Sequence, residues 1–116
     1  LRSEILHAMR AIEVGINFSG AVRLSTLEPL MGMSLDHLRR LFKKATGTTL
    51  VDYTQRRRVQ HAARQLLFTD KTATAIAQDL HFTDSAHFTK SFQRYFGRSP
   101  NEYRSHFAFN PAWLRI

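Results

Sequence analysis

The sequence predicts an all-α fold of seven helices, arranged as two similar three-helix subdomains joined by a linker helix. Three observations carry this. No segment alternates apolar and polar residues over five or more positions with the Val, Ile, Thr and Tyr enrichment of a strand. Apolar residues instead recur at steps of three and four: Leu35, Leu38, Leu41, Phe42 and Ala45; Val59, Ala62, Ala63, Leu66 and Leu67; Phe88, Phe92, Tyr95 and Phe96. The chain also repeats itself at an offset of 50 residues. Phe42-x4-Gly47-x-Thr49-x2-Asp52-Tyr53 matches Phe92-x4-Gly97-x-Ser99-x2-Glu102-Tyr103, and Leu38 and Arg40 match Phe88 and Lys90. Helical periodicity alone does not produce a match of that length, so the chain holds two copies of one helical unit.

Start and stop signals divide the chain. Ile5, Leu6, Met9, Ile12 and Ile16 predict an opening helix over 3–16, and a second is expected over 24–31. Ser34 is placed to cap a helix over 35–46 that Gly47 closes. Thr49 to Asp52 reads as a capping box opening a helix over 50–68. Phe68-Thr69-Asp70-Lys71-Thr72 is a polar connector, with Thr72 capping a helix over 73–80. Thr83 or Asp84 caps the next, over 85–96. Ser99-Pro100-Asn101-Glu102 is a second capping box for a helix over 100–107, with proline at the first helical position, where a missing N–H costs nothing. The expected organisation is a first subdomain over 1–48, a linker helix over 49–68, a second subdomain over 69–108 and a tail over 109–116. The tail carries Pro111, Trp113 and Leu114 and either packs back as a short turn or frays.

Composition excludes several functions. The 116 residues contain no cysteine, so disulfides, Cys-ligated zinc and thiol catalysis are out. No apolar run approaches the ~18 residues that a membrane-spanning helix needs, and no secretion signal opens the chain. The six histidines form no His-x3-His or HExxH pair, so neither a metal nor another cofactor is expected. No Gly-rich phosphate loop, Ser/His/Asp set or paired carboxylates suggest an enzyme. The first residue is Leu1 rather than Met, which reads as a module cut from a longer protein. Seventeen Lys and Arg against nine Asp and Glu give a net charge of +8. Between Arg39 and Arg64, eight cations (Arg39, Arg40, Lys43, Lys44, Arg56, Arg57, Arg58, Arg64) face one anion, Asp52. A domain this basic points to a polyanion, against the plain alternative of a well-solvated surface.

Each unit is a short helix, a tight turn and a longer helix. The turns are Met31-Gly32-Met33-Ser34 and Leu80-His81-Phe82-Thr83, one residue out of step with the main repeat. This is the layout of a helix-turn-helix, whose second helix enters the DNA major groove. Ala77 suits the close helix crossing in the second unit and Gly32 the turn in the first.

With those residues in view, the chain resembles the DNA-binding domain of the AraC/XylS family of bacterial transcription regulators. The second half carries the signature from Ala75-Ile76-Ala77 through Leu80 to Asp84 and from Phe88 to Arg104. The first half matches through Ser34, His37-Leu38, Arg40-Leu41-Phe42-Lys43-Lys44, Gly47, Tyr53, Arg57, Ala63 and Leu66-Leu67. The resemblance covers residues 3–107 and implies a tandem, homeodomain-like fold. Three positions depart from the pattern: His81 stands where the family usually has glycine, Glu28 where a small residue is usual, and Pro29 lies inside the expected first-unit helix. That proline would clash with the carbonyl of Ser25 in a regular helix, so the helix is expected to start late or kink.

The resemblance implies base contacts early in each second helix. In the first unit these are Asp36, His37, Arg39 and Arg40; in the second, Ser85, Ala86, His87 and Lys90. Arg39 is the leading base reader, since arginine bonds guanine O6 and N7 in a bidentate way. For Arg40, phosphate contact or a structural ion pair stands beside base contact. For Asp36, accepting from cytosine N4 stands beside a plain helix-start acid. Ala86 suits a thymine methyl. Lys43, Lys44, Arg94 and Arg98 are phosphate candidates, and so are Ser34 and Thr83, as caps of helices whose first amides can bind phosphate. Arg57 matches a family arginine expected to pair internally, with Arg56 and Arg58 facing solvent. Phe42, Phe82, Phe88, Phe92, Tyr53 and Tyr103 are expected in the core.

The expected function is sequence-specific binding of double-stranded DNA for transcription regulation, with two helices in successive major-groove segments roughly 34 Å apart. A linker too stiff for straight DNA would bend it. The resemblance further implies activation through RNA polymerase, an effector or dimerisation domain elsewhere in the full-length protein, and a cytoplasmic, nucleoid-associated location. The alternative is a basic helical protein-interaction module without base readout.

Overall fold

The computed structural model describes residues 2–107; the tail with Pro111, Trp113 and Leu114 lies outside them. Among the described residues there are seven α-helices and no strand. They are α1 (Ser3–Ser19), α2 (Leu27–Met31), α3 (Leu35–Thr46), α4 (Leu50–Phe68), α5 (Ala73–Asp79), α6 (Ser85–Phe96) and α7 (Pro100–Phe107), with a 3-10 turn at Leu24–Thr26 before α2. The chain divides into two compact units between Arg58 and Val59, inside α4.

In the first unit, α1 is three residues longer than its apolar stripe suggests. Its buried face is Ile5, Ala8, Ile12 and Ile16, while Leu6 lies about 100° off that line and is exposed. Gly15 does not end the helix. Its missing side chain lets Val22 approach, since a Cβ there would sit 2.9 Å from the valine Cβ. Gly20, left-handed at φ 82°, makes the stop. Pro29 is accommodated by a change of helix type. The backbone runs as a 3-10 turn through Thr26, and the α-helix begins at Leu27, so Pro29 falls in its first turn, where no N–H is required. The Arg57 guanidinium joins α4 to α1, donating through Nε and Nη2 to the two carboxylate oxygens of Glu13 at 3.0 and 3.1 Å. This is the expected internal pair, and the hydrogen bonds to Glu13 raise the Arg57 pKa. Leu27, Leu38, Phe42 and Leu50 join the unit's buried apolar set.

The second unit buries Val59, Ala62, Ala63 and Leu66 of α4 with Ile76, Ala77, Leu80, Phe82, Phe88 and Phe92. Phe92 packs against Phe88, Phe96 and Tyr103 at centroid distances of 5.9, 4.7 and 5.3 Å. Tyr53 and Tyr103, expected in the core, are half-buried at its edge. The Arg104 guanidinium donates to the carbonyls of Leu66 and Thr69, satisfying acceptors at the end of α4. The capping box at Ser99 and Glu102 is reciprocal, at 3.0 and 3.2 Å. The hydrogen bonds from Ser99 hold the Glu102 carboxyl below the usual carboxylate range.

The sequence repeat is a repeat of geometry inside each unit. Phe42 meets Tyr53 at a tilt with ring centroids 5.2 Å apart, and Phe92 meets Tyr103 edge-on at 5.3 Å. The helices α3 and α6 both end on a left-handed glycine whose N–H donates four residues back at 2.8 Å. The two turns differ. Gly32, at φ 66°, closes α2 with one bond to the Glu28 carbonyl. His81, at φ 59°, takes the same left-handed conformation but closes α5 with two bonds: His81 N–H to Gln78 and Phe82 N–H to Ala77. The second turn is one residue longer, and the extra residue, Phe82, is buried against Phe88 at 5.0 Å. A non-glycine residue in this region is strained by roughly 1–2 kcal/mol. His81→Gly is therefore expected to raise the melting temperature by several degrees, read by circular dichroism; an unchanged or lower melting point would show that the imidazole's own contacts outweigh the strain.

Candidate nucleic-acid interface

The helix α3 starts where two acceptors meet its free amides. The Ser34 hydroxyl accepts from His37 N–H at 3.2 Å, as its position before the stripe suggested. Glu28, from the first turn of α2, accepts from Leu35 N–H at 3.2 Å. The departure at Glu28 thus has a structural use: its carboxylate reaches across the turn and ties the scaffold helix to the first residue of α3. In the second unit the cap of α6 is Asp84, not Thr83; its Oδ1 accepts from His87 N–H at 2.7 Å. The longer turn moves the cap one place along. Both helix starts therefore carry a carboxylate on an amide that an approaching phosphate would seek.

Beyond these starts, α3 sorts its residues by face. Leu38 and Phe42 are buried, and Asp36, His37, Arg39, Arg40, Lys43 and Lys44 are exposed. Asp36, Arg40 and Lys43 follow one stripe at steps of four and three, with His37 and Lys44 on one side and Arg39 on the other. The side chains are partly ordered among themselves. Arg39 Nη1 lies 3.7 Å from Asp36 Oδ1, and Lys43 Nζ donates to the Gly47 carbonyl at 2.8 Å. On α6, Phe88 and Phe92 are buried, and Ser85, Ala86, His87, Lys90 and Arg94 are exposed. Arg94 lies over the Tyr95 ring at 5.5 Å, and His87 meets Phe82 edge-on at 5.5 Å.

Two expectations about arginines change. Arg98 is half-buried, with its guanidinium over the Phe107 ring at 5.1 Å, so it is packed rather than extended. Arg58, expected to face solvent, is half-buried and donates to Gln55 Oε1 at 3.0 Å, and burial lowers its pKa. One residue went unnoticed in the sequence: Gln93 is exposed on the stripe of Ala86 and Lys90 and matches Lys43 at the repeat offset. The i, i+4, i+7 spacing from Ala86 could have found it. Among the described residues no group of three or more His, Asp or Glu is placed to hold a metal ion, and no helix is long and apolar enough to cross a membrane.

Two units, each a helix-turn-helix with an exposed cationic face on its second helix, define a tandem DNA-binding domain of transcription regulators. The family model described as a helix-turn-helix domain matches residues 30–106. The transcriptional activator RhaS of Yersinia pestis is 38% identical over 89 residues, covering 77% of this chain and 33% of its own length. A Chromobacterium violaceum transcriptional regulator with an AraC-type DNA-binding domain superposes with a TM-score of 0.81 at 25% identity, over 89% of this chain and 90% of that one. The DNA-binding domain of AdpA, solved in complex with a target DNA, shares the fold at a TM-score of 0.74 and 23% identity, over 86% of this chain and 91% of that one. The chain belongs to the AraC-type helix-turn-helix family of DNA-binding domains. It spans a third of the activator's length.

Proposed function

We propose that the chain reads a specific duplex sequence through α3 and α6, each in the major groove, as the DNA-binding part of a bacterial transcription regulator. The observation that carries this is the division of each helix into a buried apolar face and an exposed polar, cationic face, made twice by one repeated unit. Arg39 and Arg40, with His37 and Asp36, form the reading set of α3. Ser85, Ala86, His87 and Lys90, joined by Gln93, form that of α6. Lys43, Lys44 and Arg94 serve the phosphates, with Ser34, Thr83 and Arg98 as secondary candidates. The carboxylates of Glu28 and Asp84 already hold amides beside Ser34 and Thr83, and the Phe107 ring already holds Arg98. The similarity to an activator, of which this chain spans a third, supports activation through RNA polymerase and an effector or dimerisation domain elsewhere in the full-length protein. That role places the protein in the cytoplasm, on the nucleoid.

Selection of bound sequences from a random duplex pool, followed by footprinting, tests the reading. One protected stretch with two boxes about ten base pairs apart is expected; recovery of no consensus would overturn it. On the selected duplex, Arg39→Ala should weaken binding by about 1–3 kcal/mol and relax preference at one base pair. Non-specific binding should change far less. Equal losses on selected and shuffled duplexes would reassign Arg39 to the backbone.

A further inference from the structure

We propose that Asp36 is a positioning residue for base recognition: it holds one edge of the Arg39 guanidinium so that the other edge is presented to a guanine. The inference rests on the reading of α3 as a recognition helix. Asp36 Oδ1 lies 3.7 Å from Arg39 Nη1, and the two side chains are 82% and 50% exposed. The pair faces solvent rather than the core. An exposed pair adds little to folding stability in water. Its setting changes on docking, because water leaves the interface and a charge pair of this length strengthens as the local dielectric falls.

The chemistry of the guanidinium gives the pair its use. Arginine carries five N–H donors in a rigid fork, and a carboxylate at Nη1 leaves the Nε and Nη2 donors free for guanine O6 and N7. Ordering a long side chain before docking removes part of the cost of fixing it in the complex. The same carboxylate disfavours a phosphate beside Arg39, so the arginine is steered from the backbone, which every sequence offers, towards a base edge.

The repeat supplies an independent observation. At the 50-residue offset, positions 36 and 39 become Ala86 and Thr89. The acid and the arginine are present together in one copy and absent together from the other. The flanking residues persist, as His37 and His87 and as the cations Arg40 and Lys90. A first-turn acid placed only for the helix dipole has no reason to appear with an arginine three residues on.

The test is a double-mutant cycle on the 116-residue chain, measured by fluorescence anisotropy on the selected duplex and on a shuffled duplex of the same composition. Asp36→Ala is expected to weaken binding to the selected duplex about 3–10-fold, part of what one bidentate contact is worth. Binding to the shuffled duplex stays the same or strengthens. In an Arg39→Ala background, Asp36→Ala leaves the ratio of the two affinities unchanged, and Asp36→Glu in the native background restores part of it. Thermal melting of each variant reports helix stability separately. A loss that persists without Arg39 would assign Asp36 a base contact of its own and overturn the proposal. An equal gain on both duplexes would reduce Asp36 to general repulsion and overturn it too. A native chain with no preference between duplexes overturns the recognition-helix reading itself; a preference that Asp36→Ala leaves intact overturns this inference alone.

Discussion

Phe92→Ala is expected to lower the unfolding free energy by about 3–5 kcal/mol. The ring is fully buried and touches three other aromatic rings, two of them in its own helix and one in α7. Removing it leaves a cavity whose walls, Phe88, Phe96 and Tyr103, belong to different turns and cannot close over it without breaking their own packing. Most of a small unit's stability is of this size, so the second unit should melt well before the first. Urea denaturation followed by circular dichroism would show an early transition or a strongly lowered midpoint. Phe42→Ala, the matching change in the first unit, should move the other transition, because Phe42 is as deeply buried and meets Tyr53 as Phe92 meets Tyr103. A near-native midpoint for either variant would remove that ring from its core.

The second large effect is on binding. Between 50 and 200 mM salt the affinity for duplex DNA should fall by about three to five decades, if some six to ten phosphates are neutralised. The exposed cations Arg39, Arg40, Lys43, Lys44, Lys90 and Arg94 provide the charge, and the first four lie on one helix. Lys44→Ala should lower the slope of log affinity against log salt by about one and weaken all duplexes alike. Its neighbour Lys43 is a poorer probe, since its ammonium also caps the end of α3 through the Gly47 carbonyl. Binding that ignores salt would show a contact made without phosphates, as a protein-interaction module would make.

Much of the architecture was legible because the helices that matter carry signals at both ends. Ser34 and Gly47 bracket α3, and Thr72 opens α5 by accepting from Ala75 N–H at 3.0 Å. Ser99, Pro100 and Glu102 open α7. Where the ends depended on tertiary contact, local reading fell short. The helix α1 outruns its stripe to reach Gly20. The helix expected over 24–31 splits into two types between Thr26 and Leu27, ahead of Pro29. Leu6 faces solvent because the core line runs through Ala8, a residue too small to stand out in a stripe of larger ones. The site was legible as a face, since exposure follows the same periodicity as burial. What joins residues across a turn was not: Glu28 on Leu35, or Phe107 under Arg98, depends on the angle between helices, which no local spacing encodes.

The lengthened turn at His81 limits how the two copies can be interchanged. The two copies agree in ring packing and helix ends but differ by one residue in the length of the turn between the short helix and the long one. The longer turn is held by its own contacts: the Phe82 ring is buried against Phe88, and the Phe82 N–H donates to the Ala77 carbonyl. Exchanging readers between the copies would therefore have to carry the hinge with them, since each reader is matched in length to the joint that holds it.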